Sequence, residues 1–189
     1  CAMRWLAYFV VLAIGLLGAA CGSTPPASDA PLFTDLPPDS TGVTFSNTIS
    51  EDDSVNVLAY EYLYNGGGVA VGDVNGDDQP DLFFTGNMTG DRLYLNEGNL
   101  RFRDVTTTAN VAGPDGWTTG VTMADVNGDG RLDIYVCRSG WMEEDDRRRN
   151  LLYINQGSDA NGTPRFKEQG ATYGLDDASN STHATFFDY

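Results

Sequence analysis

A nine-residue acidic stretch occurs twice in the chain with the same internal spacing, and each copy lies between two apolar runs. The first copy is Asp73-Val-Asn-Gly-Asp-Asp-Gln-Pro-Asp81 and the second is Asp125-Val-Asn-Gly-Asp-Gly-Arg-Leu-Asp133. Both copies place a side chain with an oxygen atom at positions 1, 3, 5 and 9. The copies start 52 residues apart, and Asp188 stands where a third copy would begin. Any fold for this chain must therefore accommodate a repeated acidic turn.

The alternation of carboxylate and carboxamide side chains is typical of a calcium loop, because Ca²⁺ takes about six to eight oxygen ligands. Gly130 at position 6 permits a sharp reversal, which would turn the backbone carbonyl of Arg131 toward the ion. Ordinary turns are the simpler alternative, since Asp, Asn and Gly are common turn residues. Two copies with identical spacing favour calcium loops over ordinary turns.

The residues around the loops distinguish an EF-hand calcium loop from a calcium loop that joins two β-strands. An EF-hand loop requires a following helix and a bidentate acid at position 12, but position 12 is Phe84 in the first copy and Val136 in the second. The flanking runs are rich in β-branched and aromatic residues, which favour strands. These runs are residues 69–71, 82–84, 121–123 and 134–137. Each loop is therefore predicted to join two strands of a β-hairpin.

The sequence after each loop also repeats. Leu93-Tyr-Leu-Asn-Glu-Gly98 corresponds to Leu152-Tyr-Ile-Asn-Gln-Gly157, 59 residues later, so seven extra residues are inserted around residues 141–149. Phe102-Arg-Asp104 corresponds to Phe166-Lys-Glu168, 64 residues later. Each unit thus contains four strand signals, which is the plan of a β-propeller blade.

The predicted fold is all-β: a partial β-propeller over residues 43–189, with two four-stranded antiparallel blades and the start of a third. The glycines at 66–68 and at Gly120 are predicted to lie where the inner strands crowd together near the propeller axis. Residues 43–64 are predicted to form either an extra N-terminal strand or a closing segment. Repeat units need stacked neighbours, so we expect this chain to be the N-terminal part of a longer propeller.

Composition limits the partners of the chain. A net charge of −16 disfavours nucleic acid. The basic cluster Arg147–Arg149 directly follows the acidic residues 143–146, which predicts a solvated loop that neutralises itself. Three cysteines supply no disulfide framework, and Cys137 is expected to be a buried apolar residue of a strand.

The N-terminal residues are typical of export. From Met3, the expected start, Arg4 precedes an apolar run at 5–17 and small residues at 18–20, which predicts a secretory signal peptide over residues 1–20. This run is short for a bilayer span, which needs about 20 residues. The run ends at Cys21, and its end resembles a bacterial lipobox, in which this cysteine is acylated; ordinary cleavage before Cys21 is the competing interpretation.

The two interpretations lead to different locations outside the cytoplasm. The protein is expected to be an outer-membrane or cell-surface lipoprotein if Cys21 is acylated, and a secreted protein otherwise. Membrane contact is expected only through that lipid anchor. Residues 21–42, rich in Pro, Ser, Thr and Asp, are predicted to form a flexible linker.

The acidic loops resemble the FG-GAP/VCBS repeats of integrin α-subunit propellers. The longer strings 64–73 and 116–125 are more similar to bacterial VCBS-repeat proteins related to cartilage acidic protein, which often carry a C-terminal ASPIC/UnbV domain. In that family the loop binds calcium through the side chains at positions 1, 3, 5 and 9 and the carbonyl at position 7. The ligands that this resemblance implies are Asp73, Asn75, Asp77, the Gln79 carbonyl and Asp81, then Asp125, Asn127, Asp129, the Arg131 carbonyl and Asp133, and finally Asp188 in a third loop.

The first loop departs from the family pattern at Asp78, where glycine is usual. Aspartate tolerates a left-handed backbone better than most residues do. We therefore expect the first loop to be the weaker or more strained of the two.

A secreted or lipid-anchored calcium-binding propeller of this kind is expected to bind a protein or a glycan at the cell surface, with calcium mainly structural. The sequence shows no nucleophile elbow, phosphate-binding glycine loop or transition-metal cluster, so we expect no enzyme activity. The alternatives are a non-catalytic portion of a larger extracytoplasmic enzyme, whose active site lies beyond Tyr189, and a structural spacer. Trp117 is expected to pack internally, Trp141 is the better binding candidate, and His183, the only histidine, is expected to be an ordinary strand or loop residue.

Overall fold

The computed structural model describes residues 31–142 and 145–187. The predicted signal peptide, Cys21 and Asp188 lie outside these residues, so the predictions made for them stay predictions. Within the described ranges no helix is both long and apolar enough to cross a bilayer. Residues 36–189 form one compact unit, and it contains every strand found among the described residues.

Eight strands form two four-stranded antiparallel sheets, and in each sheet the strands lie in chain order. The first sheet, blade 1, contains β1 (Val69–Gly72), β2 (Asp81–Phe84), β3 (Arg92–Asn96) and β4 (Phe102–Asp104). The second sheet, blade 2, contains β5 (Trp117–Ala124), β6 (Asp133–Ser139), β7 (Leu151–Ser158) and β8 (Pro164–Glu168). All eight predicted strand signals are confirmed, and the chain order of the strands is that of propeller blades. The described residues form part of a propeller and contain no closed ring.

Four single-turn helices accompany the strands. They are α1 (Pro38–Thr41), α2 (Thr106–Ala109), α3 (Asp145–Arg148) and α4 (Gly170–Tyr173). Helices α2 and α4 follow the last strands of blades 1 and 2, and each ends at a left-handed residue, Asn110 or Gly174. Helix α3 lies in the inserted segment, where ion pairs within the segment join Arg148 to Asp145 and Arg149 to Asp146. The predicted self-neutralisation is confirmed, but these residues form a helical turn.

One apolar core joins the two blades face to face. Strand residues alternate between the two faces of a sheet, and the alternate residues Phe83 and Leu93 of blade 1 meet Ile134 and Val136 of blade 2; all four are fully buried. On the other face of blade 2, Cys137 is buried as predicted, in a cluster that includes Phe186. Blade 2 is thus covered on one side by blade 1 and on the other by residues that follow it in the chain.

Residues 43–64 form no strand, so of the two alternatives for this segment the strand is wrong. The segment turns repeatedly and packs through single side chains. The Phe45 ring stacks on Phe84 with centroids 5.1 Å apart, and Leu63 is fully buried in a cluster with Trp117 and Met142. The segment thereby contacts blade 1 at Phe84, on the face that points away from blade 2, and contacts blade 2 at the start of β5.

Candidate metal loops

The two acidic loops connect the first and second strands of their blades in the same register. Gly72 pairs with Asp81 at the base of the first hairpin, and Ala124 pairs with Asp133 at the base of the second. Each loop reverses through two left-handed residues, at positions 4 and 6. Position 6 has φ of 82° at Gly130 and 65° at Asp78, which confirms the predicted reversal and the unusual backbone of Asp78. The hairpin prediction is confirmed, and no helix follows either loop.

The aspartate at position 1 organises each loop through backbone amides. Asp125 Oδ1 accepts hydrogen bonds from the N–H groups of Gly128 at 2.8 Å and Asp129 at 3.1 Å, and Oδ2 accepts one from Gly130 at 2.7 Å. Asp73 makes the same three bonds in the first loop. The amide of Gly130, followed by those of Asp129 and Gly128, holds the pKa of Asp125 below its usual value. The position 1 carboxylate of the second loop is therefore kept in the charged form, as a cation ligand must be.

Positions 3 and 5 interact in the same way in both loops. Asn127 Nδ2 donates to Asp129 Oδ2 at 3.0 Å, and Asn75 Nδ2 donates to Asp77 Oδ2 at 3.0 Å. In the second loop the position 5 carboxylate has an additional partner, because Arg131 Nη2 lies 2.5 Å from Asp129 Oδ2. The carbonyl of Arg131 is the predicted ligand, but its side chain also neutralises part of the loop charge.

The aspartate at position 9 is buried, unlike the predicted ligands at positions 1, 3 and 5. Asp81 and Asp133 are 0% and 1% exposed. Asp133 Oδ2 accepts the Val126 N–H at 3.0 Å, and Oδ1 accepts the Asn155 N–H at 2.8 Å. Asp81 makes the equivalent bonds at the same distances. Each carboxylate oxygen keeps a second lone pair that could face a metal ion.

Burial of these two carboxylates is costly without a nearby cation. Desolvation, together with smaller contributions from the nearby charges of Asp77 and Asp73, raises the pKa of Asp81 to about 6 despite its two backbone hydrogen bonds. Burial raises the pKa of Asp133 in the same way. A divalent cation would offset both the desolvation cost of these carboxylates and their repulsion by the other aspartates of the loop.

The donor chemistry fits calcium, which prefers oxygen ligands alone. Among the described residues, however, no three His, Cys, Asp or Glu side chains form a cluster that could hold a metal. The loops supply a carboxamide and a backbone carbonyl beside their carboxylates, and those carboxylates face backbone amides. Calcium binding would thus require the side chains at positions 3 and 5 to turn toward the ion.

Two asparagines, Asn96 at the end of β3 and Asn155 in β7, support the loops. Asn155 Nδ2 donates to the carbonyl of Leu132 at 3.1 Å within blade 2 and to the carbonyl of Val74 at 2.8 Å in the loop of blade 1. Asn96 Nδ2 donates to the Pro80 carbonyl at 3.0 Å. Each asparagine also bonds the backbone two residues further on, since the Oδ1 atoms of Asn96 and Asn155 accept the N–H groups of Gly98 and Gly157. Asn155 therefore connects one acidic loop to the next blade.

The aromatic candidates lie at the other end of the inner strands. Trp117 is 3% exposed, as predicted, and Trp141 in the insertion is 40% exposed. Their ring centroids lie 5.1 Å apart, and the Tyr60 ring contacts both. His183 is exposed in an extended segment that is not a strand.

Stacked four-stranded blades with an acidic loop in each first hairpin define a protein of the propeller-repeat class. Residues 73–136, from the first loop into β6, match a family model described as an FG-GAP-like repeat. This part of the chain, which contains both loops, is thus similar to FG-GAP repeats. The chain is also similar to cartilage acidic protein 1 of Mus musculus, with 36% identity over 103 residues. The match covers 54% of this chain and 15% of that protein, so this chain spans a small part of its relative.

Proposed function

We propose that this chain is part of an exported calcium-binding β-propeller that serves as a non-catalytic binding module for a protein or glycan at the cell surface. An FG-GAP-like repeat suggests binding or adhesion. The observation that carries the calcium proposal is the identical hydrogen-bond network of the two loops, which presents the same oxygen donors twice. Five loop positions would hold each ion: the side chains at 1, 3, 5 and 9 and the carbonyl at 7.

The role of calcium in this proposal is mainly structural. Each loop closes the first hairpin of its blade, and its position 9 carboxylate reaches the third strand through Asn96 or Asn155. Asn155 also bonds the neighbouring loop. An ion would therefore stabilise contacts within a blade and between blades. Extracellular calcium modules bind at roughly 10⁻⁴ to 10⁻³ M, so such sites would fill outside a cell.

Thermal unfolding of the full chain with calcium and with a chelator tests the metal proposal. A ligand at about 100 times its Kd adds roughly 2.7 kcal/mol of stability, so about 10 mM calcium is expected to raise the melting temperature by several degrees. Replacing both position 1 residues, in D73A/D125A, is expected to abolish that rise. Asp53→Ala, which removes an exposed carboxylate outside the loops, is the matched control.

Two results would contradict the proposed calcium sites. If the wild-type chain bound no calcium by isothermal titration calorimetry and melted at one temperature with and without chelator, the loops would be ordinary turns. A rise that persisted in D73A/D125A would place the calcium site elsewhere. The binding-module proposal is tested separately, by capture of cell-surface proteins and glycans on the immobilised chain.

A further inference from the structure

A cleft of about 800 Å³ opens where the inner strands β1 and β5 begin, at the opposite end from the acidic loops. Its volume lies within the range of about 300–1,000 Å³ that is usual for ligand sites. Its walls come from equivalent sequence positions, counted back from Asp73, Asp125 and Asp188. The residues eight positions before these aspartates are Asn65, Trp117 and Asn180. Those six positions before are Gly67, Thr119 and Thr182, and those five positions before are Gly68, Gly120 and His183. The repeat thus brings nine residues from three segments to one place.

The cleft contains no Asp, Glu, Lys or Arg, although 20% of the chain is charged. Its polar side chains are instead carboxamides, hydroxyls and one imidazole. Ser139 Oγ donates to Asn180 Oδ1 at 3.1 Å, which leaves the amide group of Asn180 free to donate elsewhere. An ionic ligand would lose its hydration here and find no opposite charge among the lining residues. The lining therefore favours a ligand that is polar and uncharged.

Aromatic rings form the second part of the lining. The Tyr60 ring packs edge-on against Trp117 at 5.6 Å and against Tyr62 at 5.8 Å. Trp117 is 3% exposed and supports the other rings, whereas Tyr62 is 52% exposed. A half-exposed ring that is fixed by packing offers a flat apolar surface at little cost in conformational entropy.

We propose that this cleft binds an uncharged saccharide. A pyranose ring has a face of C–H groups and a rim of hydroxyls. The C–H face would pack on Tyr62, and the hydroxyls would pair with Asn65, Asn180 and Thr182, all neutral groups that both donate and accept hydrogen bonds. The inference rests on the proposed binding function and assigns it a ligand class and a site.

Binding of the full chain, purified with calcium, to defined oligosaccharides tests this inference. The probes are neutral gluco-, manno- and chito-oligosaccharides, together with sialylated and sulfated glycans. We expect binding to one or more neutral probes and none to the acidic probes. Tyr62→Ala and Asn65→Ala are expected to lower that affinity about tenfold each, because each removes a ligand contact from an exposed residue.

Tyr64→Ala is the matched control, because Tyr64 is 60% exposed and adjacent in sequence but does not line the cleft. It should leave the affinity unchanged, and all three variants should keep the wild-type melting temperature. Neutral-glycan binding that Tyr62→Ala and Asn65→Ala leave intact would overturn the site while the binding module stands. Binding only to acidic glycans, only to a protein, or to none of the probes would overturn the saccharide inference. These outcomes are independent of the calcium test, which is read from the melting temperature of D73A/D125A.

Discussion

Asp91 and Asn150 occupy equivalent positions in the two blades. Asp91 connects blade 1 to the inner strand β5, and Asn150 connects blade 2 to the segment that follows it. Asp91 Oδ1 accepts the Gly86 N–H at 3.0 Å and the Thr118 hydroxyl at 2.6 Å. Asn150 Oδ1 accepts the Arg138 N–H at 2.8 Å, and Nδ2 donates to Ser181 Oγ at 2.8 Å. The equivalent contact to the next part of the chain is thus made once with a carboxylate side chain and once with a neutral carboxamide.

Asp91→Asn is expected to stabilise the protein at neutral pH. Burial raises the pKa of Asp91 to about 6, despite hydrogen bonds from Thr118 and Gly86 and the charges of Arg138 and Arg92. The folded state therefore holds a proton that the unfolded state releases near pH 3.8, and the stability contributed by Asp91 is present below about pH 3.8 and lost as pH rises through about 6. Asparagine carries no charge, so the variant should gain about 1–3 kcal/mol at pH 7.5.

Urea unfolding at pH 4 and pH 7.5 measures this effect. The gain should appear at pH 7.5 and shrink at pH 4, where Asp91 is protonated in the folded wild type. Asp53→Asn changes an exposed carboxylate and should leave the stability within about 0.5 kcal/mol. A variant that is less stable than wild type at pH 7.5 would show that the Asp91 charge itself stabilises the contact.

At the scale of elements, the acidic hairpins could be predicted because each needs only local chemistry. Donor spacing and flanking β-branched and aromatic residues in both copies, with a glycine at position 6 of the second, all indicate one structure, and the register of Asp81 and Asp133 agrees. The burial of those two residues could not be predicted, because it depends on the third strand of each blade. Helices α2 and α4 were also missed, although Asn110 and Gly174, 64 residues apart, are both typical helix-ending residues.

The two loops differ at position 6, which is Asp78 in the first and Gly130 in the second. Replacing Asp78 by glycine and Gly130 by aspartate is therefore expected to change the free energy of unfolding in opposite directions. Asp78 holds φ of 65°, where a side chain costs about 1 kcal/mol or more, and it adds a carboxylate to an already acidic loop. Asp78→Gly is therefore expected to raise the free energy of unfolding by about 1 kcal/mol in chelator. Gly130→Asp should lower it by a similar amount.

Urea unfolding of both variants with chelator and with calcium provides the measurement. In chelator, equal stability of wild type and Asp78→Gly would mean that the backbone of Asp78 is unstrained. In calcium, Asp78→Gly should also bind the ion more tightly, since the loop no longer needs to hold a left-handed aspartate.

At the scale of the whole molecule, glycines determine how closely the repeats approach one another. A Cβ atom on Gly68 would lie 2.8 Å from the Thr119 carbonyl oxygen of the next inner strand, and one on Gly120 would overlap the Thr182 carbonyl oxygen of the segment after it. Both residues stand five before a loop aspartate. The prediction that glycines allow a close approach between repeats is therefore confirmed for Gly68 and Gly120. It is wrong for Gly66, where a Cβ atom would meet nothing within 4 Å, and for Gly67, where it would meet the Thr85 carbonyl of its own blade. Residues 43–64 could not be placed from sequence, because their contacts with Phe84 and Trp117 come from other parts of the fold.

Gly120→Ala is therefore expected to weaken the packing between blade 2 and the segment at 180–187. The added methyl group would force this segment away from β5 and strain the hydrogen bonds from Thr119 Oγ1 to the Ser181 carbonyl and from Thr122 Oγ1 to the Ala184 carbonyl. A loss of about 1–3 kcal/mol in the free energy of unfolding follows from such overpacking.

Gly90→Ala is the matched control, because a Cβ atom there would meet only the flexible end of Arg92, at 3.3 Å. Hydrogen exchange adds spatial resolution: in Gly120→Ala the amide of Ser181, which bonds the Arg138 carbonyl at 3.0 Å, should exchange faster, while the ladder between β2 and β3 keeps its protection. Equal losses of stability in the two variants would mean that the close approach at Gly120 does not hold the repeats together. Uniformly faster exchange in Gly120→Ala would instead show that blade 1, blade 2 and the following segment unfold as a single cooperative unit.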